Sequence, residues 1–540
     1  MDLKMFRLHS LNLKTGAEII IMKKKLLFSI SLIWLAGCFA AACAFVAGCG
    51  TNFIDSDMSS ELVLAKLLSE QGGILAENWF YSTEIKVLNS QIFIAPLFWI
   101  FKSWSTVRCV GTAIMLALLI ASSVFALRSL SVTWTSALFA TGFLLLPLSS
   151  DYVYGVIEGI FYIPYVILSL LPIGFFCRAY DAPSRKKRVL LTGICAAIAL
   201  LSGLSGIRQV FLFYLPAAAA SVLLLAGEKK IEKGSKSLAY AETVVISCAA
   251  GLAGYLLNKT VLSRVYSFCD YGVDTFGRDL LFTEFSLGGL EQFFNQLFAM
   301  LGYKTGAMFS GYILYNALFG LIAVCAIAAV ICVLRGERFD IKEKNLVLTF
   351  LIALALLAVV FCFTDMDKIG RYSIPVVVLL VPVIAVFFGK WETDRRIAAL
   401  LAAALMGLAA VTSLNTYKVL ARSDQNTMLK DVYAYLDSAG YTEGYSSFWS
   451  GNVLTELSDG GIDMRVVGTD YILSADDLGN VYHWLQRKSH LDTQPEGKFF
   501  LLLTGKEAES CRLGLTEEYS NDRYLVYGFE NFRDFEALYK

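Results

Sequence analysis

The chain has 540 residues, 56% hydrophobic and only 17% charged, with 46 basic and 46 acidic side chains and a formal net charge of zero. That composition lies far outside the globular range and indicates a polytopic membrane protein. No basic run with interleaved aromatics is present, so the sequence offers nothing for a nucleic-acid partner.

Residues 1–21 read as leader sequence upstream of Met22, where Lys23–Lys25 precede the first apolar run. Leu35-Ala-Gly-Cys38 and Val46-Ala-Gly-Cys49 resemble lipoprotein cleavage boxes. The apolar stretch is too long for a signal h-region of about 7–15 residues, so 26–48 reads as an uncleaved helix. A polar loop, 51–90, follows at once, with Asp55, Asp57, Glu61, Glu70, Glu77 and Glu84 against Lys66 and Lys86. Its segment Glu-Leu-Val-Leu-Ala-Lys-Leu-Leu-Ser-Glu predicts an amphipathic helix, capped by Asp57, Ser59 or Ser60 and ended by Gly72-Gly73. One face of that helix suits the membrane surface.

Two carboxylates one residue apart can share a divalent cation, or one can act as a base while the other orients it. Asp55 and Asp57 are therefore candidate catalytic residues, and the ligands of a divalent cation if one takes part. Helix capping is the competing reading. Glu84, after the aromatic Trp79-Phe-Tyr81, is a further catalytic candidate.

Twelve stretches of 15 or more residues, from 26–54 to 397–417, lack Asp, Glu, Lys and Arg, and a spanning helix needs about 20 mostly apolar residues. Basic residues collect in cytoplasmic loops. On that rule Arg178 with Arg185–Arg188, then Lys229, Lys230, Lys233 and Lys236, then Arg335, Arg338, Lys342 and Lys344, then Lys390, Arg395 and Arg396 mark inside loops. The alternate loops and residues 418–540 then fall outside, and the N-terminus inside. The first half does not close, because four runs separate the acidic loop from Arg185. Either one run is re-entrant or 151–177 holds two short passes, giving eleven or thirteen helices. Thirteen is preferred, with Gly155, Gly159, Pro164 and Pro172 as punctuation.

Arg208, Lys368 and Arg371 sit at outer ends of apolar runs and could hold a phosphate by charge-assisted hydrogen bonds; snorkelling to lipid headgroups is the bland alternative. A lone Arg208 between apolar runs needs a partner, and Asp151 and Glu158 are the expected ones. Nine of the 12 cysteines lie inside apolar runs, without disulfide or metal spacing. Residues 418–540 read as a small soluble α/β domain, with strands at Phe499–Leu503 and Tyr524–Phe529 and a helix at Met428–Leu436.

The first helix, the Asp-containing outer loop Asp-Ser-Asp-Met-Ser-Ser-Glu-Leu and the later Gly370-Arg-Tyr-Ser-Ile-Pro375 together resemble the GT-C superfamily of integral-membrane glycosyltransferases. The protein O-mannosyltransferase and aminoarabinose lipid A transferase types are nearest in layout. Two features depart from the pattern: the proline-rich start of the second helix is reduced to Pro96, and Asp55-Ser-Asp57 replaces an adjacent Asp-Glu pair. The resemblance implies a polyprenyl-phosphate-linked sugar donor and an envelope glycan, lipid or protein acceptor on the outer face. It also implies that Asp55 or Asp57 deprotonates the acceptor, while Arg208 or Arg371 offsets charge on the leaving phosphate. A transporter or flippase for lipid-linked glycan, and a non-enzymatic envelope-assembly protein, are the rival readings.

Overall fold

The structure is a computed structural model that describes residues 2–228, 234–268, 284–306, 311–364, 368–391, 395–468 and 474–540, with side chains described from Met22 onward except at 395 and 475. The basic cluster at Lys229, Lys230 and Lys233, and Cys269, lie outside the described residues. The described cysteines form no disulfide.

The protein is a multi-pass membrane protein built on a helical bundle. The helices in chain order are α1 (Asp2–Cys49), α2 (Ser56–Gln71), α3 (Trp104–Ser129), α4 (Trp134–Phe143), α5 (Ile163–Tyr180), α6 (Arg185–Gly203), α7 (Ile207–Ala226), α8 (Lys236–Thr260), α9 (Leu287–Met300), α10 (Ile313–Arg335), α11 (Ile341–Phe363), α12 (Gly370–Gly389) and α13 (Arg395–Leu420). Nine of these, all but α2, α4, α6 and α9, are long and apolar enough to cross a membrane among the described residues. Two shorter helices complete the bundle: α4 packs on α1 and α3, and α6 packs on α5 and α8.

With α4 and α6 added to the nine candidate spans, the described residues place eleven rods in the bundle. The run 87–101 is not a pass, because it breaks into a four-residue helix at Gln91–Ile94 and a tight 3₁₀ turn at Ala95–Trp99 that opens on Pro96. The preferred division of 151–177 into two passes is not seen. Residues 153–158 form a π-helical turn, and α5 is one continuous rod that accommodates Pro172.

Ion pairs gather one set of connections at one end of the bundle: Lys342 to Asp181 and Lys390 to Glu343, each at 2.8 Å. The acidic loop gathers the other set. Asn258, buried near the end of α8, donates at 2.7 Å to both Ile85 O of that loop and Leu204 O of the α6–α7 turn.

The C-terminal region adds α14 (Thr427–Ser438), α15 (Phe448–Leu457) and a five-stranded sheet. Numbering the strands along the chain, β1 (Phe80–Tyr81) pairs in parallel with β2 (Ser267–Phe268) beside the acidic loop. The larger sheet has the order β4-β3-β5-β7-β6, with β3 (Glu443–Ser446), β4 (Asp463–Val466) and β5 (Phe499–Thr504) parallel. Strands β7 (Tyr524–Phe529) and β6 (Tyr519–Ser520) run antiparallel beyond β5. Phe499–Leu503 is buried throughout, as a central strand covered on both faces must be.

This domain covers the end of the bundle that bears the acidic loop. Phe80 N–H donates to Gln486 O, Asn78 bonds Ser489 at 3.2 Å and the Phe80 ring stacks on His483. Helix α2 lies beneath α15, and 11 of its 16 residues are buried. It is thus an internal element and not a surface-lying one, since loop 91–101 covers one side and the C-terminal domain the other.

Candidate active site

Asp55, in extended backbone, caps α2, its carboxylate accepting from Met58 N–H at 2.9 Å. Gly72, at φ +78°, ends the helix. Capping leaves the second oxygen of Asp55 facing the π-helical turn, where the Tyr154 hydroxyl donates to it at 2.5 Å. Arg371, in the opening 3₁₀ turn of α12, donates to that same hydroxyl at 2.9 Å and to Asp57 Oδ2 at 3.2 Å. Asp55, Asp57, Tyr154 and Arg371 thus form one cluster from three separate elements, each carboxylate held by a different donor.

The cluster leaves one acid close to neutral pH. Burial, together with the charge of Asp57, pushes Asp55 up to about 6, against the opposing pull of the Tyr154 hydrogen bond, the Met58 amide and Arg371. Burial and the two carboxylates push the Tyr154 phenol well above its ordinary value, so it stays a donor.

Arg208 lies at the start of α7. Its guanidinium donates to the Tyr162 hydroxyl at 3.0 Å and lies 5.1–5.3 Å from the centres of the Tyr162, Tyr165 and Tyr372 rings. Asp151 and Glu158 are not its partners: Asp151 lies against Gly370, and Glu158 neighbours Arg108. Among the described residues no carboxylate is within ion-pair distance of Arg208. Tyr372 directly follows Arg371, and ring contacts run from Tyr154 through Phe161 and Tyr162 to Tyr165. The guanidinium and the acid cluster are therefore two ends of one aromatic wall.

Lys86 adds a second cation, close enough to Arg208 for their charges to repel. Burial lowers its affinity for a proton, but the neighbouring Tyr165 and Glu61 outweigh this and hold it charged. Glu61, whose Oε1 is 3.9 Å from Lys86, anchors the loop by accepting from Asn89, Ser90 and Gln91.

Glu84 is at the start of α7, where its Oε1 accepts from Ile207 N–H at 2.8 Å. A carboxylate there complements the helix dipole. Gly206, at φ +111°, makes the approach possible, because a Cβ would lie 2.2 Å from the Glu84 carboxylate. Lys368 turns back to Thr364 O at the end of α11, at 3.0 Å. The structure thus brings together Asp55, Asp57 and Arg371, sets Arg208 beside them, and sends Glu84 and Lys368 to helix ends. Tyr154, Tyr162 and Lys86 were not singled out in the sequence, where nothing separates them from other aromatic and loop residues.

The donor set does not suit a divalent cation between Asp55 and Asp57. Arg371 already stands on Asp57, both Asp55 oxygens accept hydrogen bonds, and the described residues hold no group of three or more His, Cys, Asp or Glu.

Two solved structures of ArnT from Cupriavidus metallidurans are similar to this chain in fold. The one bound to undecaprenyl phosphate has a TM-score of 0.54 and the apo one 0.55; each is 11% identical, with 91% of this chain and 97% of ArnT covered. The chain has the GT-C fold. Protein-family models and curated protein sequences give no match. Within this fold the acid cluster sits in the loop after the first membrane helix, and the C-terminal domain covers it.

One acid beside the cluster is unusual. Glu158 is fully buried, both of its oxygens lack a partner among the described residues, and burial pushes it up to about 8 despite the nearby Arg108. Folding therefore takes up a proton at Glu158 between about pH 4.5 and 8, and its contribution to stability falls as pH rises through that window. Glu158→Gln mimics the neutral acid and should unfold with the wild type near pH 5 but at a higher temperature near pH 9. Thermal unfolding in detergent across pH checks this; parallel curves would mean that Glu158 is ionised in the fold.

Proposed function

We propose that the protein is a membrane glycosyltransferase that moves a sugar from a polyprenyl-phosphate carrier to an acceptor hydroxyl. The observation that supports this best is the pairing of an acid near pKa 6 with Arg208, a cation without an ion-pair partner among the described residues, at the other end of one aromatic wall. Asp55 takes the acceptor proton as the acceptor oxygen attacks the anomeric carbon. The bond from that carbon to the phosphate oxygen breaks, and polyprenyl phosphate leaves. Arg208 and Lys86 meet the charge that builds on it. Asp57 and Arg371 orient Tyr154 and keep Asp55 from being pulled into an ion pair of its own. Donor carriers of this kind fit a site at the end of the bundle, where a lipid tail can remain among the helices. The acceptor is an envelope glycan, lipid or protein.

The acid end of the bundle and the C-terminal domain lie outside the cytoplasm, because the basic connections collect at the opposite end. An alkaline phosphatase fused after Tyr539 should be active; activity only from a cytoplasm-restricted reporter would reverse the orientation.

Asp55→Asn should cut transfer by at least about 100-fold, the usual contribution of a positioned base. Asp55 must be ionised to accept a proton, so the wild-type rate should fall as pH drops through about 6. Asp57→Asn removes the neighbouring charge and should move this acidic limb downward. A limb near an ordinary aspartate value of about 4, unmoved by Asp57→Asn, would place the base elsewhere.

Arg208→Ala and Lys86→Ala should each weaken binding of a polyprenyl-phosphate sugar by roughly one to two decades, since a charge-assisted contact contributes about 1.5–3 kcal/mol. Arg208→Lys keeps the charge without the planar fork and should fall between. Titration of purified protein measures this, and unchanged affinity in both Ala variants would return these cations to headgroup anchoring.

A further inference from the structure

Arg108, at the first turn of α3, is only 2% exposed, yet it forms a bidentate pair with Glu456 of α15, with both contacts at 2.6 Å. The guanidinium does not stop there. Nη2 also donates to Met58 O at 3.2 Å, and Nη1 to Glu158 O at 3.3 Å. Met58 is the residue whose N–H is capped by Asp55, and Glu158 closes the π-helical turn that presents Tyr154. One side chain thus bonds the outer domain, the helix turn behind the acid and the turn behind its hydrogen-bond donor.

We propose that Arg108 is a positioning residue that makes the Asp55–Tyr154 geometry conditional on docking of the C-terminal domain through Glu456. This rests on the reading of Asp55 as the base. A buried ion pair contributes little net stability, because desolvation offsets the attraction and apolar replacements often do as well. Direction is what a bidentate fork adds, and here its remaining N–H groups point at the two backbone carbonyls that matter. Two further contacts set the domain beside the same elements: Trp104 N–H donates to Asp459 at 2.6 Å, and the Ser56 hydroxyl donates to Phe448 O. The unpartnered Glu158 carboxyl, protonated while Arg108 is engaged by Glu456, is an alternative acceptor for Arg108 once Glu456 withdraws, so undocking re-aims the fork instead of leaving it bare. The groups that face Asp55 are Asp57 on its own helix, Tyr154 and Glu158 on the π-helical turn, Arg371 on α12 and Arg108 on α3. Glu456 faces it only through Arg108.

The test uses the full chain in nanodiscs and needs no substrate. Arg108→Lys keeps the charge and loses the fork. Hydrogen exchange at the amides of 57–60 and 153–159 should quicken by at least about tenfold, with the Asp55 titration little changed. Arg108→Gln removes a cation and should raise the Asp55 midpoint, whereas Glu456→Gln leaves the guanidinium unopposed and should lower it. The midpoint is read by infrared difference spectroscopy against Asp55→Asn. Opposite shifts with faster exchange in Arg108→Lys support the proposal. Folded Arg108→Lys with wild-type exchange in both segments, or shifts of the same sign in the two Gln variants, would overturn it. Should Arg108→Gln fail to fold, the exchange result for Arg108→Lys and the sign of the Glu456→Gln shift decide alone. Failure of transfer assays would sink the reading of Asp55 and leave these results standing.

Discussion

The Tyr154 hydroxyl is the point on which the site depends. Two carboxylates two positions apart repel each other, and burial removes the water that would screen them; both effects favour protonation. A single phenol that donates to Asp55 and accepts from Arg371 spreads the guanidinium's charge over both acids. An O–H donates only once, so its direction must be fixed from behind. The π-helical turn fixes the backbone, and Phe161 packs edge-on against the Tyr154 ring at 5.5 Å. The opening of α12 brings Arg371 to the remaining lone pair. A site assembled in this way exists before any ligand arrives, which is what electrostatic preorganisation requires.

What the sequence shows of this arrangement follows a physical division. Asp55-Ser-Asp57 stands out because carboxylates are costly where an apolar helix ends, and Arg208 and Arg371 stand out because lone guanidinium groups at such ends need partners. Apolar runs and the fully buried strand at Phe499–Leu503 announce themselves by composition. Everything that depends on contact across the fold stays hidden. Arg108 precedes a run of apolar residues and reads as a helix-end anchor, yet its partner Glu456 lies 348 residues away. Glu84 looks like a third acid until Ile207, 123 residues on, is found donating to it. At 87–101 apolar composition alone cannot distinguish a pass from a short element packed beneath a second layer, and at 151–177 the glycines and prolines punctuate a π turn and not a reversal.

The second layer also explains α2. An amphipathic helix beside a membrane invites the assignment of its apolar face to lipid, but Ser56, Ser59, Ser60 and Glu61 are buried together with Leu62, Leu64 and Leu68. Polar and apolar faces are both covered because α2 is the seam between the bundle and the C-terminal domain. Buried polar groups at such a seam are costly without partners; Glu61 has three donors, Ser56 has Phe448 O and Ser60 has Asp57 O, while Ser59 Oγ has no partner among the described residues. The loop is therefore rigid for reasons that have nothing to do with the lipid.

Separation of charge is the last element. Had Arg208 stood against Asp55, the two would have paired, and neither would be available to a proton or a phosphate. The aromatic wall prevents this while still stabilising the cation. Tyr162, Tyr165 and Tyr372 hold Arg208 through their ring faces, and the Tyr162 hydroxyl takes one N–H, without adding a negative charge. Arg371 received the opposite treatment and is committed to Asp57. Two guanidinium groups at the two ends of one wall thus differ in their surroundings: one is committed to keeping the acids in place, and the other, among the described residues, has aromatic faces but no carboxylate partner.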